Sequence, residues 1–303
     1  MRKRHAIECS CFFILMKMRQ ITAGDNQQAP VFARLHNRLR QFSAGCGVLV
    51  PHHQRDKGEV TQSNLQDYLD CPYRFNLRYI RHAKWPALIV QDALEFEQRG
   101  LTGGRFHRLI QPDLLGIPED RLTEQAVADP SPEMMTWWED FLQNVPPWLD
   151  GTRFVETILS TGLAGHRLVA KYDLVLVQPS GKLVIFDWKT SQKRPKEQWL
   201  AERIQTRLYR FLLAHSGSVL SGAAEISPEQ IEMNYWFTSQ PEIPINLPYT
   251  SSQAEQDLAF FTGLIQEISN LPDDGFSRTA DLAQCKYCIY RSHCDRGTVA
   301  GDL

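Results

Sequence analysis

An aspartate and a lysine two positions apart, Asp187 and Lys189, stand in an otherwise apolar run, Leu183-Val184-Ile185-Phe186-Asp187-Trp188-Lys189. Such a run suits a buried strand, and strand alternation puts both charged side chains on one face. Burying an acid beside an amine is costly, so the pair asks for a partner such as a metal ion or a phosphate. A second acid, Asp173, lies among the β-formers of the preceding apolar stretch, between Tyr172 and Leu174. Two carboxylates converging from adjacent strands suit a hard divalent cation, Mg²⁺ or Mn²⁺. An ammonium on the same face, roughly 3–7 Å from the cation, can orient or deprotonate a water and offset charge on a phosphorane-like transition state.

Other residue types support that chemistry or stand apart from it. His107 sits one turn beyond Gly100, Gly103 and Gly104, which let another backbone come close; a lone histidine of this kind is more often structural. Gln205 and Tyr209 are four apart and share one face of the next helical stretch. Arg74, Arg78 and Arg81 alternate with Tyr73, Phe75 and Ile80, a pattern that meets a nucleic-acid backbone or simply solvates a helix. Lys193, Arg194 and Lys196 make a basic loop after the acid–lysine strand.

The seven cysteines are Cys9, Cys11, Cys46, Cys71, Cys285, Cys288 and Cys294. An odd count with three near the C-terminus fits metal or cluster ligation in a reducing, cytoplasmic setting better than a disulfide framework. Cys71 lies more than two hundred residues from Cys285, so a site using all four distal thiols would clamp the two ends of a domain together. Four thiolates suit a [4Fe–4S] cluster or Zn²⁺, with His293 a substitute ligand under zinc. Cys9, Cys11 and Cys46 read as incidental thiols.

Periodicity supplies the elements that must position these groups. The chain has 303 residues, 43% hydrophobic and 22% charged, with net charge −2. That is an ordinary globular composition, without the global basic bias that announces nucleic acid. The apolar run Cys11–Met16 is too short for a membrane span. Residues 1–58 show no sustained period and read as a poorly ordered extension. Ser63 is the expected N-cap of a first helix, and Pro72 opens a second. A helix is expected over Leu88–Ile110, weakened in its middle by Gly100, Gly103 and Gly104. Residues 113–150 read as a helical insertion with pieces near 119–127 and 133–143. Strands are expected at Arg153–Ser160, His166–Val177 and Lys182–Lys189, joined by turns into an antiparallel meander. One helix over 196–215, a fourth strand at Ile231–Thr238, a proline-punctuated arm at 241–249 and a helix over Ser252–Asn270 follow. In that last helix Leu258, Phe261, Leu264, Ile265 and Ile268 are expected to be buried.

The glycine-rich helix ending in His107, Asp173, Asp187-Trp188-Lys189 and Gln205-x-x-x-Tyr209 together resemble the RecB-like branch of the PD-(D/E)XK nucleases. The element order, helix, three strands, helix, strand, is similar too. The stretch from Ser63 through Cys71-Pro72 to Phe75, and Cys285-x₂-Cys288-x₅-Cys294, resemble that branch's iron–sulfur subset. The subset includes the AddB nuclease domain and CRISPR-associated RecB-like exonucleases. The resemblance covers roughly residues 60 to 297. One departure is Ala170, where a glycine often stands.

The resemblance implies an α/β (α+β) restriction-endonuclease-like core, a mixed sheet of about four strands flanked by helices. The nuclease domain would span 59–297, with an iron–sulfur subdomain from 63–80 and 271–297 and a tail at 298–303. Asp173, Asp187, His107 and the backbone carbonyl of Trp188 would hold Mg²⁺ or Mn²⁺. Lys189 would be catalytic, with Gln205 and Tyr209 supporting the site. Cys71, Cys285, Cys288 and Cys294 would hold the cluster, and Arg74, Arg78, Lys193 and Arg194 would meet nucleic acid. The implied activity is metal-dependent exonucleolytic cleavage of single-stranded DNA or DNA ends. Helicase or CRISPR adaptation proteins are the implied partners, and no membrane is involved. A silent DNA-binding subunit of a helicase–nuclease complex, or a zinc-stapled protein of unrelated function, are the competing readings.

Overall fold

A computed structural model describes residues 58–84 and 91–297, without the side chains of 91–97. The expected N-terminal extension (save Gly58), the tail at 298–303, and Cys9, Cys11 and Cys46 lie outside the described residues. The chain opens with β1 (Glu59–Thr61), α1 (Gln62–Asp70) and α2 (Pro72–Phe75), which runs on as a π-turn over Asn76–Ile80. Next come α3 (Gln91–Leu114), α4 (Glu119–Ala128) and α5 (Glu133–Asn144). The meander follows as β2 (Thr152–Leu163), β3 (His166–Val177) and β4 (Leu183–Lys189). After it come α6 (Glu197–Glu202), α7 (Ile204–Ser216), α8 (Ser218–Ser221), β5 (Ile231–Phe237), β6 (Ile245–Pro248) and α9 (Ser251–Asn270).

Several boundaries differ from expectation for local reasons. Thr61, not Ser63, caps α1, because Thr61 and Asn64 form a reciprocal capping box. The helix expected over 196–215 is two, since Arg203 has an extended backbone with ψ of 141°. Thr206 Oγ1 then donates to the Leu200 carbonyl at 2.6 Å across the break. In α9 the buried stripe runs through Asp257, Phe261, Leu264 and Ile265, and Leu258 is 42% exposed. Asp257 takes the inward position because Arg207 Nε and the Tyr249 hydroxyl both donate to it, at 2.6 and 3.0 Å.

The sheet is mixed and six-stranded, where about four strands were expected. The meander is antiparallel, and its first turn, Ala164-Gly165, has positive φ at both residues, as a tight hairpin requires. β5 lies parallel to β4, reached by the crossover through α6 and α7. The two unforeseen strands are edges. β1 has three residues, too few to show alternation, and pairs parallel with the start of β3. β6 is the proline-punctuated arm, with Pro248 at the end of an edge strand where its missing N–H is harmless.

β3 is the pivot of the sheet. β2 occupies one of its edges along the whole length. On the other edge β1 pairs with residues 167–169 and β4 with residues 174–177. Between them, at 170–173, the two neighbours part. The faces invert at the same place: Leu168, Ala170 and Tyr172 belong to one core cluster, and Leu174 and Leu176 to the other. Opposite, on β2, Glu156 takes φ of +51°, a left-handed conformation that β-strands avoid.

Helices cover both faces. α1, α7 and α9 bury Leu65, Tyr68, Leu208, Phe211, Phe261 and Ile265 against one. α3, α4 and α5 cover the other, so the segment expected as an insertion forms a full layer with α3. There Phe106, Phe141, Phe186, Trp188 and Trp236 lock the end of β4, with ring centroids 5.6–6.2 Å apart. Each such side chain contributes about 1.5–3 kcal/mol by burial alone, which fixes the strand carrying Asp187 and Lys189. Among the described residues no helix is long and apolar enough to cross a membrane.

Candidate active site

The parting of β1 and β4 from β3 makes the site. Asp173 is the first residue of β3 past its ladder with β4, and its Oδ2 accepts from the Trp188 amide at 3.2 Å. A side chain thus ends the ladder where a β3 carbonyl would otherwise continue it. Asp187 and Lys189 follow Leu183 and Ile185 on the face toward α7, as alternation requires. Asp187 is 3% exposed. Burial pushes its carboxyl above the usual carboxylate range, with the Lys189 ammonium opposing and the Asp173 charge adding to the rise.

Lys189 Nζ lies 2.5 Å from Asp187 Oδ2 and donates to Gln205 Oε1 at 3.1 Å. Gln205 Nε2 donates in turn to Asp187 Oδ1 at 2.5 Å. One amide on α7 therefore fixes both members of the pair. Tyr209, one turn on, is buried; burial and the Asp187 charge raise its phenol. The Tyr235 ring lies 5.5 Å from Lys189 Nζ on β5.

His107 reaches the site from the opposite layer. Its Nε2 is 2.9 Å from the Trp188 carbonyl and its Nδ1 3.3 Å from Asp173 Oδ1. Burial alone would lower the imidazole, but the hydrogen bond and charge of Asp173 outweigh it and the net direction is upward. The glycines expected to allow close approach do so at Gly103, where an added Cβ would lie 2.6 Å from Thr190 Oγ1. α3 therefore rests on the residue after Lys189, one turn before His107.

The donor set fits a hard divalent cation: two carboxylates, an imidazole and the Trp188 carbonyl meet at one strand end. The Asp187 Oδ2 atom is buried without a hydrogen bond, its neighbour Lys189 being an ion-pair contact only. Among the described residues no three His, Cys, Asp or Glu side chains stand as a fully assembled ligand set. His107 and Lys189 instead hold the carboxylates.

The four distal cysteines are also brought together. Cys71, Cys285, Cys288 and Cys294 are free thiols lining one small cavity with Arg74 and Arg296. Arg296 Nη1 donates to Cys285 Sγ at 3.2 Å, and the Arg74 amide to Cys71 Sγ at 3.4 Å. Burial pushes the Cys288 and Cys294 thiols up. Four thiols are the donor type a cluster or Zn²⁺ takes, but among the described residues they do not stand as a group that could hold a metal ion.

The expected nucleic-acid cations are placed less uniformly. Arg74 is turned inward to Asp67 and Asp70, at 3.0 and 2.7 Å, with its side chain 14% exposed, a correction to the open polar face expected for it. Those carboxylates and the cysteine cavity draw it in. Arg78 also binds Asp67, at 2.7 Å, while staying 41% exposed. Arg194 ties the loop after β4 to Gln240 and Ile243, and Lys193 is exposed. Glu156, not singled out from the sequence, stands across from Asp173 in ion contact with Lys171, and its charge bears on Tyr209. The signal was the one used for Asp173 and Asp187, an acid among β-formers.

No curated protein matches the chain. The solved structures similar to it include the following two. A candidate exonuclease of Eubacterium rectale is 11% identical over 73% of this chain and 86% of that one, with a TM-score of 0.44. The protein SSO0001 is 13% identical over 88% and 97%, with a TM-score of 0.33. A family model for the PD-(D/E)XK nuclease superfamily matches residues 59–295, from β1 to just past the last cysteine. A match over so much of the chain, with the acid–lysine strand at its centre, means that the chain belongs to this superfamily of hydrolases and is a nuclease.

Proposed function

We propose that the protein is a divalent-metal-dependent deoxyribonuclease of the RecB-like branch, acting as an exonuclease on single-stranded DNA or DNA ends. The observation that carries this reading is the convergence of Asp173, Asp187, Lys189, Gln205 and His107 where β1 and β4 part from β3. Superfamily members generally use divalent metals, and a bound Mg²⁺ or Mn²⁺ supplies Lewis-acid polarisation of the phosphate and an acidified water. Asp173, Asp187, the Trp188 carbonyl and His107 are the residues that would hold it.

The chain's own groups do the rest. Lys189, the partly exposed member of its pair, presents an ammonium to a phosphate oxygen or the attacking water. Gln205 keeps that ammonium and the Asp187 carboxylate in fixed relation, with Tyr209 one turn further on the same helix face. The aromatic packing behind Trp188 keeps the strand from yielding. Lys193 and Arg194, just beyond the strand, are the cations we assign to the DNA backbone, with Arg78 further off. We assign the cysteine cavity a structural [4Fe–4S] cluster, with Zn²⁺ the alternative. It closes 63–80 onto 271–297 and lies apart from the acid–lysine site.

The test is cleavage of end-labelled single- and double-stranded DNA in Mg²⁺ and Mn²⁺, beside Lys189→Ala and Asp187→Ala. Progressive shortening from one end, abolished by either substitution with the thermal midpoint held, is the expected result. Undiminished cleavage by purified Lys189→Ala sinks the assignment. DNA binding without metal-dependent cleavage by the unaltered protein would instead identify a silent subunit. Anaerobically purified protein should be brown and contain iron and sulfide; colourless protein with stoichiometric zinc replaces the cluster.

A further inference from the structure

A cavity of about 770 Å³ opens beside the acid–lysine site, between the layer of α3 and α5 and the ends of β4 and β5. Its lining includes Arg99, Thr102 and Arg105 of α3, Trp137 of α5, and Thr190 and Thr238 at the strand ends. Thr190 directly follows Lys189, and the Thr238 amide donates to the Lys189 carbonyl at 3.0 Å. The cavity therefore begins one residue from the lysine, and neither Asp173 nor Asp187 lines it.

Its lining suits a phosphate chain with stackable rings. It holds Arg99 and Arg105 with one acid, Glu133, and a second acid, Asp129, pairs with Arg105 from behind. Arg105 is held in place, Nε and Nη2 donating to Asp129 at 2.7 and 3.1 Å and Nη2 to Thr102 Oγ1 at 3.2 Å. Trp137 is anchored with its centroid 5.6 Å from buried Phe106 in an edge-on contact, and remains partly exposed. A fixed, half-exposed indole between cations and hydroxyls is a platform on which a base can stack while its phosphates bind nearby. Stacking needs an open base face, which a duplex does not offer except at its ends.

We propose that this cavity is a binding site for single-stranded nucleic acid, seating the nucleotides next to the scissile phosphate. The phosphates face Arg99 and the hydroxyls of Thr102, Thr190 and Thr238, and a base lies on Trp137. This deepens the nuclease reading and rests on it for the position of the scissile bond. The binding itself is testable without cleavage.

Binding of fluorescent decathymidylate and decauridylate, and of a blunt decamer duplex, is measured by anisotropy with Lys189→Ala protein. The same is done after adding Arg99→Glu or Trp137→Leu. Each added substitution should weaken single-strand binding about tenfold, the size of one stacked base or one backbone cation, and Trp137→Phe should restore most of the loss. Arg99→Glu should leave the thermal midpoint in place, and Trp137→Leu, which gives up its contact with Phe106, is compared at a temperature where both proteins are fully folded. Sensitivity of both strands, or of one, supports the site and identifies its sugar. Unchanged single-strand affinity, or a duplex that binds more tightly with the same sensitivity, overturns it. If the unaltered protein cleaves nothing while these losses appear, the nuclease reading fails and the strand site stands.

Discussion

Gly103 shows how much the site depends on one missing methyl group. A Cβ there would sit 2.6 Å from Thr190 Oγ1, with Thr190 Cβ and Cγ2 at 3.7 and 3.8 Å, so the hydroxyl alone is in the way. Gly103→Ala should therefore push α3 off the strand end, at a cost of about 1–3 kcal/mol for overpacking. His107, one turn away, should lose its hold on the Trp188 carbonyl, and cleavage should fall with it. The double variant Gly103→Ala with Thr190→Ala removes the obstructing oxygen and keeps the helical preference of alanine over glycine, worth about 0.5–1 kcal/mol. Its thermal midpoint should equal or exceed the parent's; a double variant no more stable than the single one refutes the contact. Asp173, Asp187, Lys189, Gln205, Tyr209 and His107 were legible as candidates because their types and spacing are local facts. The closeness of Thr190 to Gly103 was not, since it joins residues on two elements that only the folded chain brings together. Arg74 was misread for the same reason: its partners Asp67 and Asp70 lie seven and four residues back on α1, and helical spacing alone did not show which way the guanidinium turns.

Strand alternation fails in this sheet at one place, and that place is the site. Glu156 sits at φ of +51° between the pairs Val155–Leu174 and Thr157–Tyr172, and there both β2 and β3 exchange their faces. A left-handed residue costs about 1–2 kcal/mol for any side chain with a Cβ, and more for a β-branched one. The ordinary strand rule should then reverse. Glu156→Val, favourable in most strands, should destabilise by at least about 1 kcal/mol more than Glu156→Gly in denaturant unfolding. Equal stability of the two would mean that the backbone relaxes there. The meander was readable from apolar runs and turn residues, but the inversion was not, because apolar residues occur on both sides of a doubly covered sheet. The edges β1 and β6 escaped for lack of length and for prolines. At the far end of β5, Glu229 joins two elements: its Oε1 accepts from the Ser251 amide and hydroxyl, each at 2.8 Å, and its Oε2 from Ser227. These hydrogen bonds hold its carboxyl down to about 2, below its ordinary 4.5. A depressed acid stabilises the fold above its unfolded pKa and ceases to as pH falls through the folded one. Glu229→Gln should lower the thermal midpoint at pH 7, and the difference should close between about pH 4.5 and 2. A difference that does not depend on pH would assign the effect to packing.

At the scale of the whole molecule, the question is what joins the first helices to the last loop. Part of the join needs no metal. The Tyr73 amide donates to the Ser277 carbonyl at 3.0 Å, Asn76 Nδ2 donates to the Asp273 carbonyl at 3.0 Å, and Phe276 packs against Phe75 and Tyr68. These contacts fix the chain as far as Ser277. Beyond it the four thiols gather around their cavity, with Arg278 over the Tyr73 ring and Arg74 Nη1 donating to the Gln284 carbonyl at 3.5 Å. A cross-link closing more than two hundred residues restricts the unfolded chain by about 5 kcal/mol, of order 10 °C in midpoint for a domain this size. If the cavity holds the cluster we assign to it, Cys71→Ser should remove the visible absorbance and lower the midpoint by roughly that amount. Limited proteolysis should then cut between Ser277 and Cys294, while the sheet and helices of 98–277 resist, since their own contacts persist. The acid–lysine site, built wholly from β3, β4, α3 and α7, should keep measurable cleavage at low temperature. Cys71→Ser protein with an unchanged midpoint and protease pattern would show that packing alone closes the domain, and an equal loss of cleavage at every temperature would show that the thiols act on the site itself.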